Sequence, residues 1–259
     1  MSTATATLTA RRDRVGRDSG RPSFATLTRV ELRKTVDTRA GFWLLAVIAL
    51  LTVAIVLLTL LTGHDHSLRA VMSGAIEPSA TLLPIIGILL VTSEFSQRTA
   101  LSTFALVPQR NRVLAAKLAA GTILALLALL LCCVVSSIGV LAYGTSLGDA
   151  LVLPGWASGQ IVFYVIGSMI GGIAFGALLR SPALAIVLSF VLPLGVVALG
   201  ALKAITDVVA WIDTTVSWGN LSEHSFDVTE WGRALVTLLV WVLVPLAAAA
   251  WQLRRADIH

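Results

Sequence analysis

Residues 41–62 (GFWLLAVIALLTVAIVLLTLLT) contain no charged residue, and five more long apolar blocks follow at about 74–92, 113–143, 157–179, 182–202 and 233–252. A helix needs about 20 such residues to cross roughly 30 Å of hydrocarbon. It also satisfies its own backbone hydrogen bonds, which lipid cannot do for it. These blocks predict an all-α integral membrane protein with six transmembrane helices. Composition agrees: 57% of residues are hydrophobic and 13% charged, about half the charged fraction of a soluble domain. Too little polar surface remains to coat a water-soluble globule. The third block exceeds one crossing and predicts a tilted or projecting helix. Pro84, Pro193 and Pro245 fall inside blocks, where each predicts a kink.

The net charge of +5 does not point to nucleic acid, because the cations sit in flanks and short loops. With the N-terminus inside, sixteen of the 19 Lys and Arg lie on the inner side, and only Arg69, Lys203 and Arg233 lie outside. The bias predicts that both termini are cytoplasmic, in a plasma or inner membrane. Residues 1–22, rich in Arg, Thr and Gly, read as a disordered cytoplasmic tail. Residues 23–40 read as a helix lying in the inner interface, although their apolar positions gather on no clean face. Residues 41–259 form the six-helix domain. The first apolar block has the length of a retained span and no cleavage site follows it, so no secretory signal is read.

Catalysis at membrane depth needs polar groups that are costly to bury, and the expected spans hold no Asp, Glu or His well inside them. Glu77 and Lys203 fall near outer ends of blocks, and His64, Asp65 and His66 share a short loop. No HExxH, GxSxG or GxxxxGK[ST] sequence occurs. No catalytic residue, metal site or cofactor bound by this chain is predicted. Cys132 and Cys133 are adjacent in an apolar run; they point about 100° apart on a helix and read as small packing residues.

Gly167, Gly171, Gly172 and Gly176 form two GxxxG pairs in the fourth block. Small residues four apart let helix backbones approach closely, within the bundle or at a seam with a second chain. Between the second and third blocks, residues 93–117 (SEFSQRTALSTFALVPQRNRVLAAK) form an amphipathic basic loop. Residues 99–107 can form a short helix exposing Leu101 and Phe104 and stopped by Pro108, with Glu94, Arg98, Arg110 and Arg112 around them. Apolar knobs in a charged rim suit the docking of a soluble partner; the same residues also suit lying on the membrane surface. In the last outer loop, 203–232, Trp211, Trp218 and Trp231 alternate with acidic residues. That pattern fits two short helices dipping back into the outer leaflet, and equally a solvated loop with interfacial anchors.

With these features on the page, the chain after about residue 23 resembles the permease subunit of bacterial ABC transporters of the ABC-2 type. The resemblance rests on Glu31–Lys34 (ELRK) before the first span, then Glu94, Arg98-Thr99, Pro108-x-Arg110 and Lys117. Arg98 stands where that family usually has a glycine. The resemblance implies an exporter half-transporter: two permease copies, identical or related, seated on two cytosolic ATPases that hold the ATP and Mg. It also implies that residues 94–112 carry a coupling helix and that residues 23–40 form an elbow-like helix. A secondary transporter and a non-transporting membrane anchor or assembly factor are the competing readings. A mostly aliphatic interior favours a lipophilic substrate such as a drug, lipid or peptide.

Overall fold

The computed structural model describes residues 23–63, 65–96, 110–144, 153–219, 221 and 224–255. Among these every regular element is helical: α1 (Phe24–Asp37), α2 (Arg39–Thr62), α3 (Leu68–Ser96), α4 (Arg110–Ala142), α5 (Gly155–Leu179) and α6 (Pro182–Gly200). Two short helices follow, α7 (Thr206–Val209) and α8 (Thr214–Trp218), then α9 (Val228–Leu238), a π turn (Leu239–Leu243) and α10 (Val244–Arg255). Six helices, the last formed by α9 through α10, are long and apolar enough to cross a membrane.

Two spans start earlier than hydropathy alone places them, and local capping is the reason. The Ser67 amide donates to Asp65 Oδ1 at 2.9 Å and the Ala70 amide to Ser67 Oγ at 3.3 Å. That cap starts α3 at Leu68 rather than near 74. At the other end of the chain, Asp227 and Glu230 form a reciprocal capping box, which starts the last helix at Val228 rather than 233. The α5–α6 turn is made by Arg180 in the left-handed conformation (φ 54°), its amide donating to the Gly176 carbonyl.

The helices run on through their prolines. Pro78 and Pro84 lie inside α3 and Pro193 inside α6. Pro245 has no N–H to donate, and the turn before it widens so that the Val244 amide reaches the Leu239 carbonyl.

α3 and α5 form the centre of the bundle, with 61% of each span buried against 6% for α6. Their contact is backbone on backbone. A Cβ at Gly172 would run into the Pro84 backbone, one at Gly176 would meet Ile88 Cα at 3.0 Å, and one at Gly87 would meet the Met169 carbonyl at 2.8 Å. Ile173 and Met169 then fill the space beside Gly121 of α4. The other two glycines of the GxxxG pairs face other partners within the chain, Gly167 the Trp218 ring and Gly171 the Val242 side chain. α2 contributes a four-residue stripe of Ile48, Thr52, Val56 and Leu60 and leaves its other faces exposed. Cys132 is buried where α2, α3 and α4 meet, its thiol 3.4 Å from the Ala75 carbonyl and 3.5 Å from Ser79 Oγ.

This seam predicts an asymmetry among the α5 glycines. Gly172→Ala should destabilise the detergent-solubilised protein by about 1–3 kcal/mol, as overpacking does. Gly159→Ala, with no atom within 4 Å of its added Cβ, should hold or raise the melting temperature. Thermal unfolding of the two variants beside the parent checks this.

Candidate functional site

The first helix packs on the bundle through polar residues. Thr28, Glu31 and Thr35 are its buried positions, while Phe24, Val30 and Val36 are exposed. In water such a helix would be inside out. Against lipid the order is physically sound, because the bundle holds the polar partners and the surroundings are apolar. Ser23 caps α1, accepting from the Thr26 amide at 3.1 Å. Thr38, extended at φ −79° and ψ 138°, ends α1 and caps α2 through its hydroxyl and the Gly41 amide at 3.2 Å. A side chain at Gly41 would collide with the Thr35 carbonyl, so the elbow between α1 and α2 stays tight.

Glu31 is the centre of an ion-pair clamp. Its Oε2 accepts from Lys117 Nζ at 2.6 Å and its Oε1 from Lys34 Nζ at 3.0 Å. Lys117 Nζ also donates to the Leu90 carbonyl of α3 at 3.0 Å. The Glu31 and Lys117 side chains are only 6% and 5% exposed. One ammonium therefore ties α1, the last turns of α3 and the first turns of α4 together, at the two ends of the 97–109 segment. Arg33 and Asp37 add a solvent-facing pair at 3.4 Å, which contributes little.

The residues read as a docking loop divide around this clamp. Glu94 lies on the last turn of α3, and Arg110 and Arg112 on the first turn of α4. Arg98, Thr99, Leu101, Phe104 and Pro108 lie outside the described residues. Glu31 and Lys117 both figure in the resemblance, yet their pairing was not read from the sequence. A polar stripe at 28, 31 and 35, beside a lone lysine seven residues into a long apolar helix, is the signal that could have found it.

The opposite end of the bundle carries a second arrangement. α7 packs on α6 and α8 on α9, and Trp218 of α8 reaches Gly167, roughly 18 Å along α5 from its start at 1.5 Å per residue. Buried Gln160 stitches the return strand of this hairpin, donating to the carbonyls of Leu221 at 3.1 Å and His224 at 3.0 Å. The Trp218 indole N–H donates to the Ala234 carbonyl at 3.2 Å, and that of Trp241 to the Ile212 carbonyl at 2.7 Å. Beneath α8 a cleft of about 400 Å³ opens between α3, α5, α6 and the π turn.

Among the described residues lining the cleft, Glu77 is the one that carries a charge. Because α3 begins at Leu68, Glu77 stands roughly 14 Å along that helix, deeper than a span from 74 to 92 places it. It is exposed and lines the cleft together with Tyr164. Lys203, in contrast, lies exposed beyond the end of α6.

In the loop before α3, His66 stacks on Tyr143 with centroids 4.0 Å apart, and its Nε2 lies 3.2 Å from the Leu60 carbonyl. The backbone hydrogen bond from Ser67 holds the Asp65 carboxyl below its ordinary range. His64 lies outside the described residues, among which no group of three or more metal-ligating side chains occurs.

No protein-family model matches this chain, and no curated protein matches it.

The clamp predicts a steep cost for breaking it on one side. Lys117→Met leaves Glu31 buried with only the half-exposed Lys34, and should destabilise by about 3–5 kcal/mol. Glu31→Leu combined with Lys117→Met should recover most of that loss, because neither member of the buried pair is then left without the other. A double-mutant cycle on unfolding in mixed micelles measures the coupling.

Proposed function

We propose that the chain is the permease subunit of an ATP-driven exporter of the ABC-2 type, working as a pair on separate cytosolic ATPases. In this reading both termini are cytoplasmic and the membrane is the plasma or inner membrane. The observation that carries it is the clamp. Glu31, Lys34 and Lys117, three of the residues on which the resemblance rests, meet in one ion-pair cluster at the base of the proposed docking loop. Further support comes from the six apolar helices; these residues hold no P-loop sequence, and this reading expects hydrolysis in a partner ATPase.

The geometry suggests how a push would travel. A partner seated on residues 94–112 moves the end of α3 and the start of α4 together, because Lys117 holds both. Glu31 adds α1, so the elbow helix follows the loop rather than sliding past it. The α3–α5 seam, with no side chains between its backbones at the glycines, passes that displacement to the walls of the cleft. ATP shifts the population only if it binds one of the two bundle arrangements more tightly. The bare faces of α2 and α6 suit contact with lipid and with a second permease copy. The α7–α8 hairpin reads as re-entrant, capping the cleft from the outer side.

A proton-coupled secondary carrier is the second reading, favoured by one observation: Glu77, a carboxylate within a span and facing a cleft. Purification from the native membrane in mild detergent separates the two. The permease reading expects a stoichiometric P-loop ATPase in the preparation, lost in Phe104→Asp. A chain that emerges alone, and whose behaviour ATP does not change, overturns that reading and leaves the carrier.

A further inference from the structure

We infer that the cleft under α8 is a slot for one extended acyl chain of an amphiphile, with the chain tip at its Phe175 end and the polar head at its Tyr164 end. This deepens the transport reading by naming the class of molecule, and rests on that reading only for the statement that the bound molecule is then moved.

Length comes first. The lining runs from Glu77 to Pro84 on α3, from Tyr164 to Phe175 on α5 and from Ser189 to Val197 on α6. At 1.5 Å per residue these stretches extend roughly 10 to 16 Å along the helices. An extended hydrocarbon advances about 1.3 Å per carbon, so about 8 to 12 carbons fit end to end. A cleft of about 400 Å³ spread over that length has a mean section of about 25 to 40 Å². That is one to two hydrocarbon widths at van der Waals contact, a channel rather than a broad chamber.

Polarity changes along the channel. Pro84 lies opposite Gly172 and Ile88 opposite Gly176, so α3 and α5 run parallel and in step. Glu77 and Thr81 therefore stand level with Tyr164 and Ser168, and these four are the polar side chains that α3 and α5 give to the lining among the described residues. Beyond them the two helices contribute Pro84, Gly171, Gly172 and Phe175. The π turn closes that end with Val242 and with Trp241, which stacks on Phe175 at 6.3 Å. Ser189 of α6 turns its hydroxyl back on its own helix, donating to the Ile186 carbonyl at 2.9 Å.

Gly171 marks space that the fold leaves unfilled. A Cβ there would find Val242 Cγ2 as its nearest neighbour at 3.5 Å, an ordinary contact, whereas one at Gly172 would run into the Pro84 backbone. Packing thus demands glycine at 172 and not at 171, and a bare position at 171 widens the channel where a chain would lie. Access comes along α6, whose lining residues Phe190, Leu194 and Val197 are exposed. A sugar in this channel would lose its hydration against Phe175 and Trp241 without polar partners there; an acyl chain gains by the same contact.

The test uses the purified full chain in detergent micelles and monododecanoylglycerol carrying a photoreactive diazirine, either at the chain tip or beside the ester. Irradiation, digestion and mass spectrometry locate each adduct. Tip adducts are expected on the peptides around Phe175 and Trp241, ester-side adducts around Glu77 and Tyr164, and excess unlabelled monododecanoylglycerol should abolish both. Adducts on Leu50 and Leu61, exposed on α2, supply the background that the competitor leaves unchanged. Competition by dodecanoate as well traces binding to the chain, competition by the ester alone adds a share for the head, and either supports the proposal. In Gly171→Leu, which fills the channel, the adducts around Phe175 and Trp241 should be lost. Adducts there that stay at background or resist competition in the parent chain overturn the proposal, even if Gly171→Leu fails to fold. So do undiminished competable adducts in a folded Gly171→Leu, or tip and ester labels at reversed ends. Because no nucleotide or ATPase enters the assay, its failure leaves the exporter reading standing, and loss of the ATPase partner leaves the binding result standing.

Discussion

Everything else in this bundle is arranged around the direct approach of the α3 and α5 backbones. Lipid gives apolar side chains no reason to seek one another, since chain interior and surroundings are equally apolar. Helices in that setting associate through close van der Waals contact and through polar groups that lipid cannot serve. Gly87, Gly172 and Gly176 supply the first: each stands where a Cβ would meet the opposing backbone at 3.0 Å or less. Once α3 and α5 are locked, α4 closes on them through Gly121, and α2 lies over α3 and α4 along one stripe.

Polar residues supply the second force, and they sort by depth. The mid-bundle positions Thr52, Ser79 and Cys132 form weak contacts with each other. At the α1 end Glu31, Lys34 and Lys117 pair with one another and with a carbonyl, while Glu77 faces the cleft and buried Asp213 caps α8. A buried pair of this kind adds little net stability compared with an apolar pair, yet it is costly to break. Such a device fixes position rather than strengthening the fold. It keeps α1 registered on the bundle between the last turns of α3 and the first turns of α4.

The hairpin end follows a different rule. There the backbone is irregular, and buried carbonyls need partners from the protein. Gln160, Trp218, Thr237 and Trp241 do this, each reaching a carbonyl of the 211–234 region. The result is a rigid roof over a cleft whose floor is the glycine-rich face of α5. The other two glycines of the α5 GxxxG pairs, Gly167 and Gly171, stand beside Trp218 and Val242.

Hydropathy alone determined that six helices form and roughly where, because the length of an apolar run is a one-dimensional property. The capping residues at Asp65–Ser67 and at Asp227–Glu230 were also legible, and reading them would have placed the starts of α3 and of the last helix. With α3 begun at Leu68, Glu77 would have moved from the edge of a span into its body. Tertiary structure alone decided that Thr28, Glu31 and Thr35 face inward. A periodicity search expects buried residues to be apolar, and α1 reverses that rule. It alone paired Glu31 with Lys117, 86 positions away, and assigned each glycine its neighbour. Pairing in three dimensions depends on which faces the crossing helices present, and no local pattern encodes a crossing.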